Sequence, residues 1–295
     1  MRILVAGASG YIGTELVRQL ELDQHEVVTL TRGTPRQPRE HQWNPVAGKL
    51  DVALVDSVDA VIDLAGASLS KLPWTASYRA QILDSRLAAT STLTAALAAA
   101  STPPSVLLNA SAVGYYGDRA TERLVETSTK GHGFLADVVD KWEVAAHAAP
   151  AGVRVATFRT GIVVGKGGAF APLELLTRFG LASRLGKGDQ FWPWISLYDE
   201  AAAIRHLLTS EVSGAVNLAG PEPATSVAIT RMLATAMGKW HPWVVPTRVI
   251  ELALGTAGHE LLLSSQKVAP EVLLADGFTF RHESAASAIS AVWKA

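Results

Sequence analysis

The sequence predicts an α/β protein, a doubly wound parallel sheet followed by a smaller, mostly helical C-terminal lobe. Three observations carry this reading. Apolar runs of strand length alternate with segments of helical periodicity from residue 1 to about 165. The first of these runs leads directly into the glycine-rich turn "GASGYIG", which opens a helix. Beyond Gly165 the alternation stops and helical patterns dominate. The expected division is residues 1–165 for the sheet domain and 166–295 for the lobe, with no clean linker between them.

The elements follow in order. "RILVA" (Arg2 to Ala6) is a continuous apolar run, as expected for a strand buried on both faces of a parallel sheet. Ile12, Leu16 and Leu20 fall at helical spacing in the segment from Tyr11 to Leu22. "EVVTLT" (Glu26 to Thr31) and "AVIDLAG" (Ala60 to Gly66) are the next strands, separated by the Pro- and Arg-rich loop "TRGTPRQPREHQWNP". A long helix is expected from Ser77 to Ala100, then a strand from Ser105 to Ser111, then a helix from Phe134 to Ala148. "GVRVATFRTGIVVG" is the last strand of the alternating series and its exit. Short strands near "FWPWIS" and "AVNLAG" are assigned to the lobe, and the last helix, Ala285 to Val292, is expected to pack back onto the main sheet.

Composition restricts the function. The chain has 295 residues, 48% hydrophobic and 18% charged, which suits a globular protein with a large core. A net charge of −1 and the lack of any Lys/Arg cluster argue against nucleic-acid or membrane partners and for a small molecule. There is no cysteine, which removes disulfides and thiol chemistry and fits a cytoplasmic protein. No signal peptide is evident, because Met1-Arg2 runs straight into the first strand. The eight histidines are scattered and His241 and His259 have no partners at ligand spacing, so no metal site is expected.

"GASGYIG" stands where a dinucleotide fingerprint must stand, after a strand and at the opening of a helix. Gly7 permits the tight turn, Gly10 lets the backbone approach a pyrophosphate, and Gly13 lets helix and strand pack closely. The phosphates would rest on free N–H groups at the positive helix end. NAD sites place an acidic residue about 20 positions further on to hold the ribose 2′-hydroxyl. Here Thr31-Arg32-Gly33 occupies that place, with Arg32 19 residues after Gly13. A guanidinium suits a 2′-phosphate, with Arg36 and Arg39 adding charge, so NADP(H) is the expected cofactor.

These motifs, with "DLAG" at 63–66 and "NASAVGYYG" at 109–117, resemble an extended short-chain dehydrogenase/reductase. "GKGDQFWPWISLYDEAAAI" and "ELLLSSQKVAPEVLLADGFTF" narrow the resemblance to an atypical epimerase-family branch, NADP-dependent oxidoreductases with their own C-terminal domain. The resemblance implies a Rossmann domain and a substrate lobe. It implies cofactor contacts from Tyr11, Ile12, Thr31, Arg32, Leu64, Ala65, Gly66, Gln81 and Arg86, and a lysine, Lys141, at the nicotinamide ribose.

Ordinary members of this superfamily use a serine and a Tyr-x-x-x-Lys pair, whose spacing puts phenol and ammonium on one helical face. The lysine lowers the phenol pKa so that it can exchange a proton with substrate. None of the five tyrosines here has lysine four residues on. Ser111 remains, and Asp137, 26 residues after it and four before Lys141, fills the tyrosine's slot. A carboxylate beside a lysine is a poor proton donor, so Asp137 is either a weak base or a holder of Lys141. Tyr115 and Tyr116 either supply a substitute acid or form an aromatic wall.

Gln190, Trp192, Trp194 and Ser196 gather where the chain passes to the lobe, and Gln190 and Trp194 are candidate substrate contacts. Asp199 is expected to cap the helix beginning "DEAAAIRHLL". Arg159 ends its strand, where it either reaches a substrate anion or anchors the exit loop. "GKGGAF" (165–170) lacks P-loop spacing and reads as a mobile turn at the substrate mouth. The expected function is an NADP(H)-dependent oxidoreductase or epimerase-like enzyme acting on a small carbonyl or hydroxyl compound. The alternative is an NADP(H)-binding sensor with little turnover.

Overall fold

In the computed structural model, which describes residues 1–294, strand and helix alternate as the apolar runs dictate. The first half comprises β1 (Arg2–Ala6), α1 (Tyr11–Leu22), β2 (Glu26–Thr31), β3 (Glu40–Gln42), α2 (Val52–Asp56), β4 (Ala60–Asp63), α3 (Ala76–Ala99), β5 (Val106–Ala112), a short β6 (Arg123–Leu124), α4 (Phe134–Ala146) and β7 (Arg154–Thr160). The second comprises β8 (Ile162–Val164), α5 (Ala171–Arg178), β9 (Ser183–Leu185), β10 (Phe191–Trp192), β11 (Trp194–Ser196), α6 (Leu197–Thr209), β12 (Gly214–Leu218), β13 (Ala224–Thr225), α7 (Ser226–Ala236), β14 (Trp243–Val245), α8 (Thr247–Leu254), α9 (Thr256–Gly258), β15 (Lys267–Val268), α10 (Glu271–Ala275) and α11 (Ala285–Val292).

Seven strands form one parallel sheet in the order β3-β2-β1-β4-β5-β7-β12. The order reverses between β1 and β4, which opens a crevice at their carboxyl ends. The central strands are apolar throughout because both faces are covered. Leu16, Val17 and Leu20 of α1 pack on one face beside Ile204, Leu207 and Leu208 of α6. On the other face, Leu54 and Val55 of α2 join Leu93 and Leu97 of α3. None of the described helices is long and apolar enough to cross a membrane.

Four expectations are corrected. The loop after β2 contains an edge strand, β3, with Thr29 opposite Glu40; three polar residues carry no hydrophobic periodicity that a sequence could show. "AVNLAG" is not in the lobe: it forms β12, parallel to β7, after an excursion through residues 162–196 that hides the return of the βα alternation. The boundary at 165 therefore does not separate sheet from lobe, since α6 and β12 rejoin the sheet. Finally, α11 packs inside the lobe, where Ala288 and Ile289 join Phe170, Trp194, Ile229 and Leu233. Among the late segments that do reach the sheet domain is the one carrying Leu273, Phe278 and Phe280.

Candidate functional site

β1 ends at Ala6, and the next three glycines shape the crevice. Gly7 has φ +78°, and a Cβ there would lie 2.7 Å from the Leu64 carbonyl carbon. At Gly13 a Cβ would lie 2.8 Å from Ala8 Cα, so only glycine lets α1 approach the turn this closely. Gly10 occupies the N-cap of α1 with no side chain to satisfy the first amides, which leaves them for a ligand. Gly7, Gly10, Thr31, Arg32, Leu64, Ala65, Gly66 and Gln81 all line one cleft of about 950 Å³.

Four cations border this cleft: Arg18, Arg32, Arg39 and Lys71. Arg18 is paired with Glu15 and Arg39 with Glu21, while Lys71 Nζ lies 5.0 Å from the Tyr78 ring centroid. Among the described residues Arg32 has no carboxylate partner and is exposed, so its guanidinium is free for an anion. Arg86 is placed differently from the expectation. It lies behind the wall, its Nη1 donating to Ala67 O (3.2 Å) and Ile82 O (2.9 Å), with its guanidinium 5.0 Å from the Trp142 ring. Burial lowers its pKa to about 10. It supports the wall loop from below, as does Asp63, whose Oδ1 accepts the Ala65 N–H at 2.9 Å. Asp63 is fully buried, its pKa raised to about 6 by desolvation, and its Oδ2 accepts from Thr90 Oγ1 at 2.8 Å.

Ile12 packs partly buried against the sheet core. Tyr11 turns its ring under Gly165, Gly167 and Gly168; a Cβ at Gly165 or Gly167 would collide with it, and one at Gly168 would press on it at 3.0 Å. The "GKGG" turn is therefore seated on Tyr11, and glycine is required because the ring leaves no room. Burial, with Glu174 nearby, raises the Tyr11 phenol to about 12, and its hydroxyl is buried with no partner.

The expected catalytic set does not assemble. Ser111, at the end of β5, is buried and donates to Glu143 Oε1 at 2.5 Å. Arg159, opposite Ser111 in the sheet register, grips both oxygens of Glu143 at 2.8 Å. Arg159 is thus a buried anchor, and not a substrate contact. Lys141 is exposed on the other side of α4. Asp137 is also exposed and pairs with Lys130 at 2.7 Å, which holds its carboxyl below the usual range, so it neither fills a tyrosine slot nor holds Lys141. Tyr116 is fully buried: its hydroxyl lies 2.7 Å from Asn217 Oδ1 and receives Arg159 Nη1 at 2.9 Å, and burial raises its pKa. Fixed at that end, it cannot swing into the crevice. Tyr115 lies against Arg159, 3.6 Å from ring centroid to guanidinium carbon, and meets the Tyr116 ring edge-on.

Gln190 and Trp194 are core residues. Gln190 Nε2 donates to Leu185 O and Leu262 O, and Trp194 Nε1 to Glu222 O, and a Cβ at Gly220 would collide with the indole Cζ2. Asp199 is not the cap of α6. Ser196 is, accepting the Asp199 N–H at 3.0 Å, while the buried Asp199 carboxylate accepts the amides of Arg281 and His282.

Glu143 is the residue the sequence reading missed, and a signal was available. Leu135, Val139, Trp142 and Ala146 define the apolar stripe of α4, and Glu143 falls on it, four residues after Val139, while Lys141 falls opposite. On this phase, the face presented to Ser111 holds Leu135 and Val139 where a tyrosine and a lysine would be needed.

Residues 3–219 match the NAD dependent epimerase/dehydratase family, and residues 245–292 match a domain of unknown function, DUF1731. The chain is 36% identical to an epimerase family protein of Mycobacterium leprae, covering 98% of this chain and 94% of that protein. It is 32% identical to the human epimerase family protein SDR39U1 over 95% of each chain. A crystal structure of human SDR39U1 with NADPH superposes with a TM-score of 0.92 and 31% identity, covering 99% of both chains. A UDP-glucose 4-epimerase from Thermus thermophilus in complex with NAD has a TM-score of 0.77 at 20% identity, covering 98% of this chain and 97% of that one, a likeness of fold alone. On these grounds the chain belongs to the NAD dependent epimerase/dehydratase family and carries a DUF1731 domain toward its C-terminal end.

Proposed function

We propose that this protein binds NADP(H) and uses it for hydride exchange with a small carbonyl or hydroxyl compound. The observation that carries the cofactor is the unpaired Arg32 at the end of β2, on the cleft that also holds the uncapped first turn of α1. The residues suit the group: glycines where side chains would block a pyrophosphate, free amides at a helix end, and a guanidinium in place of the acidic ribose partner. The human relative crystallised with NADPH supports the same reading. When bound, the nicotinamide would supply or accept a hydride. Gly10 and the α1 amides would hold the phosphates, Arg32 the 2′-phosphate, and Leu64–Gly66 the adenosine side.

A second reading is favoured by one observation. Ser111 is committed to Glu143, and no Tyr–Lys pair faces it, which favours an NADP(H)-binding regulatory protein with little turnover. One experiment separates the two. NADPH-loaded protein is incubated with a panel of aldehydes, ketones and sugar nucleotides while the nicotinamide absorbance is followed. Substrate-dependent NADPH oxidation is the expected outcome. A flat trace across the panel, with NADPH binding intact by titration, supports the regulatory reading.

A further inference from the structure

Hydride exchange at a carbonyl needs a proton donor, and the usual one is missing. The polar side chains at the carboxyl ends of β4, β5, β7 and β12 narrow the choice. Asp63, Ser111, Arg159 and Asn217 are all buried, and each is hydrogen-bonded within the protein. Thr160, the last residue of β7, is the one that remains partly exposed. Strand alternation turns it away from Arg159 and Glu143, toward the α6 face. There its Oγ1 donates to Glu200 Oε1 at 2.6 Å.

Glu200, in the first turn of α6, is fully buried, and its Oε2 has no partner. Among the described residues no cation compensates it. Its neighbour Asp199 is turned to the Arg281 and His282 amides. On α1, which packs along α6, Glu15 and Arg18 pair with each other, Gln19 donates to Tyr198 O, and Tyr11 is neutral. The segments of β5, β7 and β8 against α6 bring Thr160 as its one polar partner. A carboxyl so placed keeps its proton, and burial raises its pKa to about 8.

We propose that Thr160 and Glu200 form the proton-delivery pair of this protein, Thr160 presenting its hydroxyl to the substrate oxygen and Glu200 acting through it as a positioning residue and proton store. This rests on the hydride-exchange reading. In the reducing direction the hydride, supplied by reduced nicotinamide cofactor, adds two electrons and a hydrogen to the carbonyl carbon. The Thr160 hydroxyl, which donates to Glu200 at rest, turns to the substrate; its O–H bond breaks as its proton joins the carbonyl oxygen, and the Glu200 carboxyl proton passes to Thr160 Oγ1. Glu200 is left as carboxylate and regains its proton through the partly exposed Thr160 hydroxyl once the product has left. Oxidation of an alcohol runs the same transfers in reverse.

The test uses the full chain and the variants Thr160→Val, Thr160→Ser and Glu200→Gln. Infrared spectroscopy of the wild type at neutral pH should show a protonated carboxyl band, lost in Glu200→Gln. Thermal stability of the wild type should fall as pH rises from about 4.5 to about 8, because the folded state holds a proton that the unfolded chain has already released. Glu200→Gln should flatten that fall. All variants should bind NADPH within about twofold of wild type. With a substrate from the panel, Thr160→Val should lose on the order of 100-fold in kcat. Thr160→Ser should recover most of that rate, and Glu200→Gln should remove the alkaline decline of the wild-type profile. An absent carboxyl band, or a Thr160→Val enzyme with unchanged rate and pH profile, overturns the pair while leaving hydride exchange standing. A wild type that turns over nothing in the panel overturns both, whatever the infrared band shows.

Discussion

Arg32 carries the choice of nucleotide. It is exposed at the end of β2, has no carboxylate against it among the described residues, and stands where an acidic residue would hold a ribose hydroxyl. Charge-assisted hydrogen bonds to a phosphate contribute about 1.5–3 kcal/mol. Arg32→Ala should therefore weaken NADPH binding roughly 10- to 100-fold while leaving NADH nearly unchanged, as read by fluorescence titration of both cofactors. Equal losses for the two would show that Arg32 contacts something other than the 2′-phosphate. This residue was legible in the sequence because its position is fixed by a strand end and a count from Gly13. Arg86 was assigned through resemblance alone, and its side chain lies behind the loop it was expected to stand beside.

At the scale of the element, α4 shows how a two-residue error in helical phase relocates a site. Reading Asp137 and Lys141 as a pair four apart is locally sound, yet both lie outside the apolar stripe. Placing Leu135, Val139 and Trp142 inward puts Glu143 under β5 and β7, where it binds Ser111 and Arg159. Removing its carboxylate leaves the Arg159 guanidinium buried without a counter-charge. Glu143→Ala should accordingly cost about 3–5 kcal/mol in denaturant unfolding, whereas Lys141→Ala should change neither stability nor NADPH affinity. A Lys141→Ala protein with weakened NADPH binding would restore the ribose role inferred from the family pattern.

For the whole molecule, the lobe is joined to the sheet domain by particular contacts. Glu260 sets both carboxylate oxygens, at 2.7 Å, on the amides of Phe134 and Leu135 at the start of α4, where Gly133 supplies no cap of its own. Ala257 and Leu261 pack beside Trp74, Tyr78 and Leu135. Glu260→Ala should loosen this junction by about 1–2 kcal/mol, seen as faster limited proteolysis between residues 245 and 265 with the sheet domain still folded. Unchanged cleavage would mean that the apolar contacts alone hold the lobe.

The sequence by itself determined the parallel sheet, the glycine turn and the guanidinium at the end of β2, because strand burial, positive φ and helix-end amides are local demands that residue type answers directly. Tertiary structure alone decided which polar groups face a ligand. Ser111, Arg159, Tyr116, Gln190 and Trp194 stand at plausible positions in the chain, yet each is buried with partners supplied from segments distant in sequence. Thr160 and Glu200, unremarkable as letters, become a pair only because β7 and α6 pack together, and burial then sets the charge of a carboxyl that its sequence neighbours leave undetermined.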